Sequence, residues 1–258
     1  MNEGTVRYER DGVIGRITFD RPDARNAMTW TMYDELAKAC GKVAADPEVR
    51  VAVLRGAGGK AFVAGTDIGQ FREFKSGEDG VDYERRVAAY LAAVEELPVP
   101  SIAVIEGWAI GGGLAIAAAC DLRVATPGSR FGVPIARTLG NCLSIANYAC
   151  LAAALGLGRT QRMLLLAEML AAEELLAAGF LTEIVPPAEL DARVGQLCER
   201  LAGNAPLTMR VTKESLRRLL HAGLPHGEDL IRQCYGSQDF RIGVEAFLEK
   251  REPRWTGK

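Results

Sequence analysis

Histidine is scarce in this chain: only His221 and His226 occur among its 258 residues. No carboxylate pair stands at ligand spacing beside them, so a histidine-based metal centre is not expected. An excess of basic charge is also absent. Lys and Arg number 31 against 33 Asp and Glu, a formal net charge of −2. That balance argues against nucleic acid or an anionic membrane surface as a partner. No apolar run reaches 18 residues, so no membrane-spanning helix is expected. Met1 to Arg10 carries charges and lacks an apolar stretch, so no signal peptide is expected either. The six cysteines (Cys40, Cys120, Cys142, Cys150, Cys198, Cys234) form no C-x-x-C pair. They read as free thiols of a cytoplasmic protein. Neither the Lys-Ser/Thr of a P-loop nor the G-x-G-x-x-G spacing follows the glycines, which argues against a nucleotide-phosphate site.

What is present is a large apolar fraction, 48% of residues, and 28 glycines. The N-terminal part alternates strand and helix. Val6–Arg10 and Val13–Phe19 flank the turn signal Asp11-Gly12. Thr31–Ala45 carries an apolar face of Met32, Leu36, Ala39 and Val43. Val51–Arg55, Ser101–Ile105 and Leu122–Ala125 read as strands, and Tyr83–Leu97 as a helix. From Cys142 onward the pattern is almost all helix. Pieces are expected near Cys142–Leu155, Thr160–Leu166, Ala172–Ala178, Ala188–Asn204, Pro206–His221 and Leu224–Tyr235. A soft boundary near residue 200 separates a core, residues 1–200, from a helical region, residues 201–258, suited to oligomerisation or to covering the core.

The most informative stretch is Gly107-Trp108-Ala109-Ile110-Gly111-Gly112-Gly113-Leu114. A glycine turn here feeds an apolar, alanine-rich helix. Free N–H groups at such a helix start favour an anion, and glycine lets a ligand approach the backbone. A second glycine-containing turn lies earlier, in Ala61-Phe62-Val63-Ala64-Gly65-Thr66-Asp67-Ile68. Two separate turns, each offering one N–H, can converge on one oxygen, as an oxyanion hole requires.

With these turns the sequence resembles the crotonase superfamily, the enoyl-CoA hydratase/isomerase family. The resemblance runs through Asp20-Arg21-Pro22, Asn26-Ala27, Phe62–Ile68, Glu106–Leu114 and Ala119-Cys120-Asp121-Leu122-Arg123. It continues through Phe131-Gly132-Val133-Pro134 and Ala246-Phe247-Leu248-Glu249-Lys250-Arg251. It implies an α/β fold, a spiral of ββα units with a C-terminal helical region, assembled as a homotrimer or hexamer. It implies an acyl-CoA thioester as substrate, CoA being part of the substrate with no separate cofactor. The implied oxyanion donors are the backbone N–H groups of Thr66 and Gly112. The implied CoA contacts are Arg25, the backbone of Phe62, Ala64 and Gly65, and Lys250, with Phe247 near the nucleotide.

Hydratases of the family use two glutamates, whose positions are occupied here by Ala115 and Ile135. Neither residue can move a proton. Other branches place their acid, base or nucleophile past the Phe-Gly-x-Pro segment. Here that loop is Ala136-Arg137-Thr138-Leu139-Gly140-Asn141-Cys142-Leu143-Ser144. Arg137, Asn141 and Cys142 are the catalytic candidates it offers. Each also has a plainer role: Asn141 as cap of a helix starting at Cys142, Cys142 as a packed thiol, and Arg137 as partner of a surface acid. Asp67 reads as a helix cap. Glu106 reads as a partner of backbone in the glycine turn, or as a pocket carboxylate. The function expected is an acyl-CoA-processing enzyme of the hydratase/isomerase type. The alternatives are a non-hydratase crotonase (isomerase, C–C or thioester hydrolase) and a catalytically weak acyl-CoA-binding protein.

Overall fold

The computed structural model describes residues 3–258. Strands β1 (Thr5–Asp11) and β2 (Ile14–Asp20) form an antiparallel hairpin. Its two-residue turn is Gly12-Val13, and Gly12 takes φ +58°, which glycine adopts without strain. Helix α1 (Trp30–Ala45) follows, capped by the Thr29 side chain, which accepts from Met32 N–H. Then come β3 (Val51–Gly56), β4 (Ala61–Val63), α2 (Gly77–Glu95), β5 (Ser101–Ile105), β6 (Trp108–Ile110), α3 (Gly112–Ala119), β7 (Leu122–Ala125) and β8 (Arg130–Gly132).

Two sheets share these strands. The larger has the order β1-β2-β3-β5-β7 and the smaller begins β4-β6-β8. Each successive pair, β3–β4, β5–β6 and β7–β8, therefore gives one strand to each sheet, and a helix precedes the next pair. That repeat is the expected spiral of ββα units. Beyond β2 the pairings in the larger sheet are parallel.

The second half is helical: α4 (Ile135–Thr138), α5 (Ile145–Leu155), α6 (Leu157–Leu165), α7 (Ala172–Ala177), α8 (Leu190–Ala202), α9 (Pro206–His221), α10 (Glu228–Tyr235) and α11 (Gln238–Leu248). Two short strands complete the sheets, β9 (Leu170–Ala171) beside β8 and β10 (Glu183–Ile184) beside β7. Among the described residues no helix is long and apolar enough to cross a membrane.

Strand alternation explains why the large sheet is buried on both sides. Ala52 and Leu54 of β3 face the main core, with Met32, Leu36 and Leu114. Val51 and Val53 face a second core, under Leu190, Val194 and Leu197 of α8. Tyr235 and Phe240, from the last two helices, join the main core.

Several boundaries differ from the sequence reading. The helix expected from Cys142 begins at Ile145, and its cap is the Ser144 side chain, which accepts from Asn147 N–H at 3.3 Å. Asn141 is therefore not the cap. Helix α2 begins six residues before Tyr83, where Ser76 and Asp79 form a capping box. Strands β8, β9 and β10 were not foreseen, because two or three residues carry no readable period.

Candidate active site

The two glycine turns lie against each other. A Cβ built on Gly111 would fall 3.9 Å from Gly65 Cα, and one on Gly112 would fall 3.4 Å from Thr66 Oγ1. Thr66 forms a parallel bridge with Met28. The bridge uses Gly65 C=O, accepting from Met28 N–H, and Asp67 N–H, donating to Met28 C=O. The N–H of Thr66 takes no part in it. Gly112 opens α3, so its N–H precedes the first intrahelical hydrogen bond. Both residues line one cavity of about 150 Å³.

Three hydroxyls hold the first turn. Thr66 Oγ1 lies 2.9 Å from Tyr33 Oη and 3.0 Å from Tyr83 Oη, all buried. Burial pushes the Tyr33 hydroxyl up to about 12, and Tyr83 also well above the usual tyrosine value. Both stay neutral hydroxyls at any ordinary pH. Asp67 caps the short helical turn after Thr66, accepting from Gly69 N–H at 2.9 Å, and pairs with Arg21 at 2.8 Å.

The rest of the wall is mostly apolar. Ile68, Phe71, Val87, Ile135, Leu139 and Leu151 contribute side chains, and Ala115 lies beside the glycine turn. Phe247 of α11 lines the cavity while 47% exposed, which places it at the mouth. Thr138, Asn141 and Asn147 add polar groups.

The residues singled out in the sequence divide accordingly. Thr66, Gly112, Ala64, Gly65 and Asn141 meet at the cavity. Asn141 Nδ2 donates to Tyr235 Oη at 3.2 Å, and its Oδ1 is buried with no hydrogen-bond partner among the described residues. Cys142 and Arg137 do not line the cavity. The Cys142 thiol hydrogen-bonds Cys234, which together with burial pushes its pKa far up, so a nucleophilic thiolate is not favoured. Arg137 is exposed on α4. Phe62 has its ring in the core, edge-on to Phe19 at 5.3 Å, which leaves only its backbone to meet a ligand. Arg25 and Lys250 are both exposed. Arg25 C=O accepts from Ala64 N–H at 3.0 Å, which places that loop beside the first turn. Glu106 pairs with Arg55 at 2.7 Å, through two guanidinium nitrogens, and is not among the residues lining the cavity.

One residue on the wall escaped the sequence reading: Glu84, only 2% exposed. Its Oε1 accepts from Tyr235 Oη and its Oε2 from Ser144 N–H, both at 2.8 Å. The Asn147 side chain bonds it too. Gly80, one turn earlier on α2, lets Tyr235 pack directly on the helix; a Cβ there would fall 2.2 Å from the ring. No cation pairs with Glu84 among the described residues. Burial pushes its pKa up to about 7, against the downward pull of its hydrogen bonds. The signal was in the sequence. Gly80, Glu84, Val87, Leu91 and Val94 form the buried stripe of α2, and Glu84 is the charged residue on it.

Comparison with known proteins agrees with this architecture. The family described as Enoyl-CoA hydratase/isomerase matches residues 9–258. The (E)-benzylidenesuccinyl-CoA hydratase of Thauera aromatica is 32% identical, over 98% of this chain and 99% of its own. The short-chain-enoyl-CoA hydratase of Clostridium acetobutylicum is 30% identical, over 98% and 97%. Among solved structures, methylmalonyl-CoA decarboxylase in complex with 2-nitronate-propionyl-CoA superposes with a TM-score of 0.90, at 28% identity, covering 98% of this chain and 99% of that one. The chain belongs to the enoyl-CoA hydratase/isomerase family of the crotonase superfamily.

Proposed function

We propose that this protein is an enzyme acting on acyl-CoA thioesters, holding the thioester carbonyl oxygen between Thr66 N–H and Gly112 N–H. The observation that carries this reading is the pair of abutting turns whose Thr66 and Gly112 line one cavity. Donors aimed at developing oxyanion charge contribute about 3 kcal/mol each to transition-state stabilisation. The apolar wall suits an apolar acyl chain. Phe247 at the mouth, Arg25 on the loop that bonds Ala64, and Lys250 shortly after Phe247 would meet the CoA moiety, which is part of the substrate; no separate cofactor is needed.

Ala115 and Ile135 stand where family hydratases carry glutamates, so two-carboxylate hydration is disfavoured. Proton shifts, C–C cleavage or thioester cleavage remain within reach of one oxyanion hole. The (E)-benzylidenesuccinyl-CoA hydratase and the methylmalonyl-CoA decarboxylase act, by their names, on different acyl groups. The shared element would be the thioester. A binding protein without turnover is the competing reading, and a buried carboxyl on the wall, Glu84, favours the enzyme.

Exposed leucines and a valine on α9 (Leu207, Val211, Leu216, Leu219), with Leu165 and Leu166 at the end of α6, support burial between copies in a homotrimer or hexamer. Six free cysteines support a reducing, cytoplasmic compartment.

The test is turnover of a panel of 2-enoyl, 3-enoyl, 3-hydroxyacyl, dicarboxyl and aromatic CoA thioesters in heavy-oxygen water, read by mass spectrometry. The control is Gly112→Pro in a Tyr33→Phe background. Proline is tolerated at a first helical position and lacks the N–H in question. Turnover of one class, lost in the control, supports the enzyme. Tight binding of the panel with no turnover sinks it in favour of the binding protein.

A further inference from the structure

Glu84 has a second property that sets it apart from the rest of the cavity wall. It also borders a second, outer crevice along α2, shared with Ala88, Ser144, Ala146 and Pro225. Exposed Arg85 and His226 line the same crevice. One carboxyl thus lies between the chamber holding Thr66 and Gly112 and a crevice rimmed by solvated side chains.

A carboxyl buried without a cation is unfavourable unless its hydrogen bonds repay the lost hydration. The groups facing Glu84 are hydroxyls and thiols: burial raises the tyrosines, and the hydrogen bond between the two thiols raises Cys142 and lowers Cys234. Tyr83 lies beside it on α2, Tyr235 and Cys234 on α10, Tyr33 on α1, Tyr148 on α5, and Cys142 in the preceding loop. Arg85 and His226 stand off at the crevice rim, and no ion pair reaches the carboxyl. Tyr235, Ser144 and Asn147 fix its orientation. Gln keeps an oxygen for Ser144 N–H and turns its amide N–H to Tyr235 Oη, which then accepts, as it must when Glu84 is protonated; a structural role is served by that neutral arrangement. A group that must gain and lose a proton has to be a carboxyl.

We propose that Glu84 is the catalytic proton carrier of this site, exchanging a proton between the acyl chain in the cavity and solvent in the outer crevice. The inference rests on the acyl-CoA reading above. In the forward step a carboxylate oxygen of Glu84 takes a proton from the carbon next to the thioester carbonyl. The C–H bond breaks, an O–H bond forms on Glu84, and the electron pair moves onto the carbonyl oxygen facing Thr66 N–H and Gly112 N–H. In the return step the pair flows back and carbon takes a proton from Glu84, either at the same carbon or, in a 3-enoyl chain, at the distal carbon as the double bond shifts. Atoms and electrons balance with no further reactant. Between the steps the carboxyl trades its proton with water in the crevice. A single carboxyl suffices for this chemistry, in keeping with Ala115 and Ile135 elsewhere on the wall.

The experiment follows deuterium uptake from heavy water into 3-hexenoyl-CoA by NMR and mass spectrometry, with hexanoyl-CoA binding measured by calorimetry. Wild type is expected to incorporate deuterium at the carbon next to the carbonyl. Glu84→Gln is expected to slow this at least about 100-fold while hexanoyl-CoA affinity stays within about threefold. Tyr235→Phe removes a hydrogen bond that favours the charged form, so the midpoint of the exchange-versus-pH curve is expected to move up. That shift is a readout that packing alone would leave in place, and it decides the matter if Glu84→Gln does not fold. Exchange by Glu84→Gln within threefold of wild type overturns the proposal, as does an unmoved midpoint in Tyr235→Phe. Wild type that binds hexanoyl-CoA but exchanges nothing overturns Glu84 and leaves the acyl-CoA reading standing. Wild type that binds neither hexanoyl-CoA nor 3-hexenoyl-CoA overturns both.

Discussion

The Tyr33 hydroxyl sits 2.9 Å from the Thr66 hydroxyl, and both are buried behind the first glycine turn. A side chain on α1 thereby holds the turn whose Thr66 lines the cavity. Tyr33→Phe removes one hydrogen bond and leaves Tyr83 as the remaining partner of Thr66. The expected loss is about 1 kcal/mol of unfolding free energy, measured by urea denaturation. A looser turn is expected to lower kcat/KM by about fivefold, near 1 kcal/mol, on whichever thioester proves to be turned over. Unchanged turnover would separate the hydroxyl cluster from the work of the N–H.

The glycines of the second turn are expected to differ from one another. A Cβ on Gly113 would fall 2.0 Å from Val63 O, a backbone atom that cannot step aside. Gly113→Ala is expected to destabilise by about 3 kcal/mol or more. A Cβ on Gly112 would meet the Tyr33 hydroxyl at 2.7 Å. Gly112→Ala is therefore expected to be rescued in part by Tyr33→Phe, which deletes the clashing oxygen. A double-mutant cycle on thermal unfolding checks it: the pair should be more stable than the sum of the singles. Strict additivity would contradict this geometry.

Stability should also depend on pH through Glu84. Its folded pKa, about 7, lies above the ordinary glutamate value of 4.5. A raised value means the folded protein prefers the protonated form. The stability tied to that proton is fully present below about pH 4.5 and is lost as pH rises through 7. The difference is on the order of 3 kcal/mol. Glu84→Gln is expected to abolish this slope, so that the variant gains on wild type between pH 5 and pH 8. Chemical denaturation across that range reads it. Parallel pH curves for the two proteins would place the Glu84 carboxyl outside the low-dielectric core.

Helix α9 has no fully buried residue of its own, yet Lys213 anchors it by an ion pair to Asp121 at the end of α3. Asp121 also accepts from Ser101 N–H at 2.7 Å and from Ser101 Oγ at 2.8 Å, so it stays held if the lysine goes. Lys213→Met is expected to cost about 1–2 kcal/mol and to open α9 to limited proteolysis before the rest unfolds. Global unfolding with no early cleavage in α9 would show that the helix is fastened elsewhere.

The sequence was legible where a local signal matched its tertiary setting. The β1–β2 hairpin, helix α1 and the parallel strands carry clear periods, and both glycine turns announce themselves. The meeting of Gly65–Thr66 with Gly111–Gly112 was inferred from chain order, and their contact bears on it directly. Legibility failed where a role depends on distant partners. The stripe of α2 marks Glu84 as out of place, but what it does depends on Tyr235, Ser144 and Asn147 being brought around it. Asn141 reads as a cap because Asn often is one, but Ser144, three residues on, takes the role. Arg137 and Cys142 stood close to the site in sequence. The short helix α4 turns Arg137 to solvent, and Cys142 turns toward Cys234.

Tyr235 belongs to the second-to-last helix, and it donates to a carboxyl fixed in the chain 151 residues earlier. A growing polypeptide leaving a ribosome thus carries Glu84 long before its partner is synthesised. Until α10 docks, that carboxyl lacks the Tyr235 hydrogen bond and the cover of the Tyr235 ring. The final stretch of translation thus adds one contribution to its affinity for a proton, beside Ser144 and Asn147. A chain truncated before α10 would keep both glycine turns but hold a differently set acid between them and solvent.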